Sequence, residues 1–183
     1  MPFPSRRTEA LRKGRISSPG AIYFLTWCTA NRVPSLAGIS PQTTTRQAIA
    51  NLELSENGLG LAASIMPDHV HLLLKLGSPL TVSQVIGKLK SAITRVHGEI
   101  KWQENFFEHQ LRPDDPIENY AFYIFMNPYC AGICDLERIW PGWISSGEMH
   151  WGFEVKLRVG GLSQPGWLEQ AGKFGATLPR GAD

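Results

Sequence analysis

The segment Ile65-Met66-Pro67-Asp68-His69-Val70-His71-Leu72-Leu73-Leu74 is the most informative in the chain. Its apolar stretches suit two short strands, and Pro67-Asp68 between them suits a tight turn, because proline presets φ and aspartate bonds its local backbone. Successive side chains of a strand point to opposite faces, so His69 and His71 project from one face and the alternate apolar residues from the other. Two adjacent imidazoles at an accessible rim would suit a divalent metal.

Length and composition predict the general class of protein. The chain has 183 residues, 43% of them hydrophobic, which suits one globular domain with an irregular tail. The net charge of +2 is too small to identify a nucleic-acid partner. The three cysteines form no disulfide framework, and no apolar run resembles a signal peptide or approaches the roughly 20 residues of a membrane-spanning helix. We therefore expect a cytoplasmic protein that has no membrane contact.

Basic side chains are concentrated in two places. One is an N-terminal arm, residues 1–18, whose basic residues are Arg6, Arg7, Arg12, Lys13 and Arg15. The other is a helix predicted from about Thr81 to His97, where apolar residues recur at steps of three and four. Its outer rows carry Lys88, Lys90 and Arg95. Both basic surfaces could bind DNA phosphates, and for both the alternative is an ordinary solvated surface.

The first half of the chain alternates between strand and helix patterns. β-Branched and aromatic residues predict a strand over 20–29, and helical spacing predicts a helix over about 41–56. The aromatic segment 102–112 fits either a short strand or an ordered loop. Because no glycine-rich fingerprint of a nucleotide-binding parallel sheet is present, we expect an α+β fold with an antiparallel sheet covered by helices on one face.

The second half begins with another predicted helix. Asp115 is expected as its N-cap and Pro116 at its first position, and Pro128 is expected to break or kink it. From about Trp140 onward glycine, proline and tryptophan are frequent and periodicity is weak. We expect an irregular C-terminal extension there, with one strand near Gly152 to Val159.

Tyr123 and Asn127 share one face of the helix that begins near Pro116, because they are four residues apart. This helix could supply the Asn127 amide oxygen as a third metal ligand and aim the Tyr123 phenol at a metal-bound phosphate. Oxygen and imidazole ligands with open positions suit Mg²⁺ or Mn²⁺ better than a closed zinc site. Tyr120, one turn earlier, competes for any catalytic assignment, and a tyrosine on an apolar helix is often a core residue.

The cysteines leave one further alternative open. Cys130 and Cys134 are one helical turn apart, so a structural zinc module could combine one of them with His69 and His71. A buried, small, apolar role is the competing expectation for both cysteines.

Two motifs together resemble the single-tyrosine transposases. Met66-Pro67-Asp68-His69-Val70-His71-Leu72-Leu73 resembles their His-hydrophobic-His signature, and Tyr123-Ile124-Phe125-Met126-Asn127-Pro128-Tyr129-Cys130-Ala131-Gly132 resembles their nucleophile helix. Weaker similarities are Tyr23-Phe24-Leu25-Thr26 with Thr29 and Arg32, Leu89-Lys90-Ser91, Phe106-Phe107-Glu108-His109, and Leu111-Arg112. The pattern covers roughly residues 15 to 145 and is most similar to the REP-associated tyrosine transposases.

This resemblance implies a fold and a domain organisation. The expected fold is a ferredoxin-like antiparallel sheet with helices packed on it, plus an irregular C-terminal extension. Residues 19–140 would form the single-tyrosine transposase catalytic domain, and residues 141–183 the extension. The expected partner is single-stranded DNA, often beside a folded hairpin, in the cytoplasm of a bacterium and associated with its nucleoid. The REP-associated branch favours a monomer, while related transposases form dimers.

The resemblance also implies roles for individual residues. His69 and His71 would hold Mg²⁺ or Mn²⁺, Asn127 would complete the metal site, and Tyr123 would attack the DNA to give a 5′-phosphotyrosine and a free 3′-hydroxyl. His109 and Arg112 match recurrent positions and are expected at the DNA, with structural support as the alternative for His109. A domesticated protein that binds DNA hairpins without cutting them is the competing hypothesis.

Overall fold

Five antiparallel strands form one sheet in the part of the chain that the structure describes. The computed structural model describes residues 17–154, 156 and 166–178. The strands are β1 (Ile22–Thr29), β2 (Gly58–Ile65), β3 (His69–Leu76), β4 (Trp102–Gln110) and β5 (Trp143–Ser145), and their order across the sheet is β4-β1-β3-β2-β5. The helices are α1 (Ile39–Leu54), α2 (Val82–Val96), α3 (Ile117–Cys130) and α4 (Trp167–Thr177). The predicted α+β class and the ferredoxin-like arrangement of β1 to β4 are confirmed.

The helices cover both faces of the sheet, so the expectation that they cover one face is wrong. α1 and α2 pack on the face that carries Leu25 and Leu72, whereas α3 and α4 pack on the face that carries Phe24 and Leu73. The physical reason is that the central strands β1 and β3 are apolar on both sides. Strands that read as continuous apolar runs need a cover on each face.

The predicted hairpin between β2 and β3 is confirmed. Ile65 pairs with Val70, and the amide of Met66 donates to the carbonyl of His69 at 2.9 Å. The turn is also held from outside, because the amide of Leu36 donates to the carbonyl of Pro67 at 2.8 Å. The two histidines therefore open the central strand of the sheet.

The helix predicted over Thr81 to His97 is confirmed as α2. Thr81 is its N-cap, and it forms a capping box with Gln84, in which each side chain bonds the other residue's backbone. The predicted apolar stripe is buried from Val82 to Ile93, whereas its last residue, Val96, is exposed at the end of the helix. The two alternatives for segment 102–112 are also resolved, because β4 is a strand that pairs with β1.

Helix α3 differs from its prediction at both ends. Its N-cap is Pro116, whereas the Asp115 carboxylate accepts from the amide of Arg112 at 2.8 Å and so closes the preceding turn. Pro128 lies inside α3, which continues to Cys130. Because proline lacks an N–H, it forfeits one intrahelical bond, and this is tolerated so close to the helix end. The predicted N-cap at Asp115 and the predicted break at Pro128 are therefore wrong.

The C-terminal extension contributes regular elements to the fold. β5 adds a fifth strand beside β2, and α4 packs on α3, where the rings of Phe122 and Trp167 lie 5.3 Å apart. Residues 152–154 are helical, so the strand predicted near Gly152 to Val159 is wrong there. These elements are anchored by single large aromatic side chains, which leave no periodic pattern in the sequence. No helix in the described ranges is long and apolar enough to cross a bilayer.

Candidate active site

His69 and His71 meet edge to face on the side of β3 that is covered by α3. Their Nε2 atoms lie 3.1 Å apart, and their ring centroids lie 4.6 Å apart at an interplanar angle of 83°. His71 is fully buried and His69 exposes 8% of its surface. The shared face predicted from the strand alternation is therefore confirmed, but only His69 reaches the accessible rim that was expected for both.

The Nδ1 atom of each imidazole has its own hydrogen-bond partner. Nδ1 of His69 lies 2.6 Å from an Asp68 carboxylate oxygen, and Nδ1 of His71 lies 2.8 Å from the hydroxyl of Thr26. Phe24 stacks on the His71 ring with the centroids 5.7 Å apart. These contacts orient both rings so that their Nε2 atoms lie next to each other. In metal sites, hydrogen-bond partners behind the ligands orient metal-binding histidines in the same way.

The pKa of His71 lies well below its usual range. Burial is the main cause of the lowered pKa, and the nearby His69 and Arg32 act in the same direction, while a hydrogen bond with the side chain of Asn127 acts against them. His71 is therefore neutral at physiological pH. A neutral imidazole is the form that binds a metal ion.

The arrangement of the histidines fits a divalent ion. Octahedral ligands at about 2.1 Å from an ion stand about 3 Å apart when they lie at right angles, and the two Nε2 atoms are 3.1 Å apart. With the Nδ1–H of His69 donated to Asp68, its Nε2 carries the lone pair that a metal ion would bind. The hydroxyl of Thr26 can accept the Nδ1–H of His71 as well as donate to Nδ1, so His71 can also present a lone pair at Nε2.

Helix α3 brings Tyr123 and Asn127 to the histidines. The ring of Tyr123 stands edge-on to His71, with the centroids 5.7 Å apart, and the Asn127 side chain bonds His71. Tyr123 exposes 6% of its surface because α4 lies on it. A Cβ atom at Gly175 would come within 2.8 Å of Tyr123 Cε2, so glycine is required for this close approach.

A cleft of about 430 Å³ opens in front of these residues. Arg32, His69, Tyr123 and Asn127 line it together with small residues of α4. An imidazole, a phenol and an amide therefore face one cavity, while Thr26 and Asp68 support the histidines from behind. This arrangement could hold a metal ion beside a nucleophile.

Tyr120 faces a different environment. Its hydroxyl lies 3.1 Å from Nε2 of His109, its ring stacks on His109 at 5.8 Å, and His109 lies 3.5 Å from the Asp115 carboxylate. Burial raises the pKa of Tyr120, which keeps the phenol protonated. Among the described residues that line the cleft, Tyr123 is present and Tyr120 is not. These contacts of His109 agree with the alternative expectation that this residue supports the structure.

Among the described residues, those predicted to bind DNA are not gathered around the cleft. Arg6, Arg7, Arg12, Lys13 and Arg15 lie outside the described residues. Lys88 and Arg95 are exposed on α2, which covers the opposite face of the sheet. Nζ of Lys90 donates to the carbonyl of Gln103 at 2.7 Å, and Arg112 is exposed in the turn before α3.

The cysteines do not join the histidines in a metal site. Among the described residues, no group of three His, Cys, Asp or Glu side chains could hold a metal ion, so the zinc-module alternative gains no support. Cys130 is exposed and lines the cleft, and Cys134 is half-buried. The expectation of a buried role is therefore wrong for Cys130, which lies in the last turn of α3.

The sequence analysis gave no site role to Thr26, Asp68 or Arg32. Arg32 follows β1, and Nη1 lies 3.4 Å from the Asp68 carboxylate. Asn31 and Arg32 have φ angles of 54° and 56°, a left-handed conformation that costs a non-glycine residue about 1–2 kcal/mol. The motifs of the family resemblance included all three residues, and Asp68 was also expected as a turn residue. No pattern of spacing connects these three positions.

Comparison with known proteins identifies the family. A family model described as "Transposase IS200 like" matches residues 17–124, more than half of the chain, and this range includes both histidines and Tyr123. The chain belongs to the IS200-like transposase family. The resemblance found in the sequence motifs is thereby confirmed, and Asn127 lies just beyond the matched range.

Two individual proteins are similar to this family member. A Haemophilus influenzae protein provisionally named a REP-associated tyrosine transposase is 31% identical over 97 residues, which are 44% of this chain and 55% of the relative. The chain thus spans about half the length of that curated relative. The structure of a REP-associated tyrosine transposase bound to a REP hairpin superposes with a TM-score of 0.56 at 21% identity, over 75% of this chain and 93% of that chain. The two proteins share a fold.

Proposed function

We propose that this protein is a metal-dependent endonuclease and strand transferase for single-stranded DNA, with Tyr123 as its nucleophile. The observation that carries the proposal is the common cleft of His69, Tyr123 and Asn127, with His71 directly behind it. If each of these four residues were only a packed core position, their meeting at one cleft would have no explanation. Family membership supplies the reaction class.

The chemistry follows from the groups in the cleft. The Tyr123 oxygen attacks the phosphorus of a phosphodiester, a new P–O bond forms to tyrosine, and the bond from phosphorus to the 3′-oxygen breaks. The phenol loses one proton and the departing 3′-oxygen gains one, so protons balance. The product is a 5′-phosphotyrosine with a free 3′-hydroxyl. Because the phosphotyrosine retains the phosphodiester energy, another 3′-hydroxyl can attack it and join a different end.

His69, His71 and Asn127 would hold Mg²⁺ or Mn²⁺ in this reaction. When bound, the ion would polarise the scissile phosphate and stabilise charge on its oxygens. Asp68 and Thr26 keep the imidazoles oriented toward it. The hydrogen bond between the side chain of Asn127 and His71 supports Asn127 as the third ligand in this proposal.

The partner that we propose is single-stranded DNA next to a hairpin. The structurally similar REP-associated transposase is bound to a REP hairpin, and this favours the same class of DNA here. We also propose that a monomer is sufficient. The histidines on β3 and the tyrosine on α3 come from one chain, so the cleft needs no residue from a second copy.

Formation of a covalent adduct tests the proposal. The protein is incubated with Mn²⁺ and a labelled DNA hairpin that has single-stranded tails, and the products are separated under denaturing conditions. The wild type and Tyr120→Phe are expected to form a labelled protein band, whereas Tyr123→Phe and EDTA-treated wild type are not. Loss of the band in Tyr120→Phe but not in Tyr123→Phe would show that the nucleophile is misassigned.

A second candidate function is hairpin binding without cleavage. The observation that favours it is the coverage of Tyr123 by α4, which leaves 6% of this residue exposed. Salt-sensitive hairpin binding with no adduct under Mg²⁺ or Mn²⁺ would support this function and contradict the strand-transfer proposal.

A further inference from the structure

Arg32 stands across the cleft from the proposed nucleophile. It lines the same cavity as Tyr123 and His69, and 40% of its side chain is exposed. Among the described residues that line this cavity, Arg32 is the only one with a permanent charge. A cleft that receives a DNA strand must accommodate the negative charge of its phosphates, and a guanidinium matches phosphate geometry with two parallel donors.

The backbone holds Arg32 in an unusual conformation. Arg32 has a φ of 56°, which side chains other than glycine rarely adopt. The hydroxyl of Thr29 lies 2.7 Å from the Val33 carbonyl and 2.9 Å from the Asp68 carbonyl, and the amide of Thr29 also donates to Asp68 at 2.9 Å. The turn that carries Arg32 is thus fastened to the hairpin that carries the histidines. Strained backbone maintained in this way is found at ligand-binding sites.

The existing partner of Arg32 leaves it able to bind another anion. Its contact with Asp68 is 3.4 Å long, whereas charge-assisted N–H···O bonds are about 2.7–2.9 Å. Asp68 is separately engaged by Nδ1 of His69 at 2.6 Å through its other oxygen. If the guanidinium turned toward a phosphate in the cleft, the carboxylate would keep its bond to the histidine.

We infer that Arg32 binds a phosphate of the DNA strand in the cleft, next to the metal-binding histidines. The inference rests on the proposed function, since it assumes that a DNA strand enters this cavity. Its chemical content is a charge-assisted contact between the guanidinium and a non-bridging phosphate oxygen. Arg32 thereby positions the strand in front of Tyr123.

DNA binding without catalysis tests this role. In a Tyr123→Phe background and in EDTA, the affinity for a fluorescein-labelled hairpin with single-stranded tails is measured by anisotropy at several salt concentrations. R32Q is expected to raise Kd about tenfold, as the loss of one charge-assisted contact would, and to reduce the slope of log K against log salt by about 0.7. K75Q removes another exposed positive charge, at the far end of β3, and is the matched control. Equal affinities and slopes for R32Q and K75Q would overturn the inference.

Two further variants separate phosphate binding from a structural role. Arg32→Gly removes the side chain at a φ that glycine adopts freely, so it controls for misfolding and is expected to weaken binding as R32Q does. Asp68→Asn releases Arg32 from its ion pair and is expected to bind DNA at least as tightly as the parent. If Asp68→Asn weakened binding as much as R32Q, Arg32 would act only by holding Asp68, and the inference would be wrong.

The adduct assay keeps this inference separate from the proposed function. If wild-type protein forms no adduct while R32Q selectively weakens hairpin binding, the strand-transfer proposal fails and the phosphate contact stands. If wild type and R32Q form adduct at equal rates and bind equally well, the phosphate contact fails and the strand-transfer proposal stands.

Discussion

Replacement of Thr26 by valine tests whether the imidazole of His71 is oriented for a metal ion. Valine keeps the β-branched shape that suits a strand but removes the hydroxyl, which lies 2.8 Å from His71 Nδ1. Thr26 exposes 1% of its surface and His71 none, so water does not easily replace the lost partner. We expect the free energy of unfolding to fall by about 1–3 kcal/mol, the usual cost of an unsatisfied buried polar group. Without a partner for Nδ1–H, Mn²⁺ affinity should fall about 10- to 100-fold.

A matched control for this substitution lies on the opposite face of the sheet. The hydroxyl of Thr94 accepts from Nε1 of Trp102 at 2.9 Å, and both side chains are half-buried. Urea unfolding and calorimetric titration with Mn²⁺ are measured for Thr26→Val and Thr94→Val. The control should lose about 1 kcal/mol of stability or less and bind Mn²⁺ like the wild type. If Thr26→Val bound Mn²⁺ with unchanged affinity, or if both variants lost affinity equally, our account of the histidine site would be refuted.

Three other substitutions test the packing and the charge state. Gly175→Ala places a Cβ atom 2.8 Å from Tyr123 and should lower the free energy of unfolding in urea by about 1–3 kcal/mol. The added Cβ of Gly172→Ala meets nothing within 4 Å, so helix propensity should raise the free energy of unfolding by up to about 1 kcal/mol. Equal effects of the two substitutions would contradict the packing of α4. Burial raises the pKa of Tyr129 to about 12, and its hydroxyl donates to the carbonyl of Arg138 and accepts from the amide of Trp140. Tyr129→Phe should therefore lower the free energy of unfolding by about 1–3 kcal/mol. Unchanged stability would argue against these hydrogen bonds. In metal-free protein the pKa of His71 is lowered, so as the pH falls below about 6.5 the unfolded chain protonates this imidazole and the folded chain does not. The free energy of unfolding should therefore fall by up to about 1.4 kcal/mol per pH unit. His71→Gln should remove this contribution to the pH dependence of stability.

The sequence predicted the elements whose patterns are local. Alternation along one strand indicated that His69 and His71 share a face, and the spacing of apolar residues at steps of three and four indicated α2. The spacing of Tyr123 and Asn127 correctly placed both on one side of a helix that meets the histidines. These features depend on residues a few positions apart.

Features that depend on distant residues were not predictable in the same way. Pairing between Arg32 and Asp68 joins residues on separate turns, and no periodicity relates them. The packing of α4 on Tyr123 depends on the close approach of Gly175, a residue more than fifty positions away in the sequence. The second helical layer had a sequence signal in the apolar run of β3, but a short apolar run alone does not distinguish a strand buried on both faces from a buried helix segment.

The burial of the two histidines explains why the site depends on several elements at once. Their placement on a central strand removes His71 from water, which keeps its imidazole neutral but costs free energy unless both ring nitrogens have partners. For His71 those partners are Thr26 of β1 and Asn127 of α3, and for His69 the partner is Asp68 of the hairpin. Removal of any one partner therefore leaves a buried polar group unsatisfied and also releases the ring that a metal ion would need. For this reason we expect stability and metal affinity to fall together in substitutions at this site, whereas a substitution of Arg32, on the open side of the cleft, should affect DNA affinity more than stability.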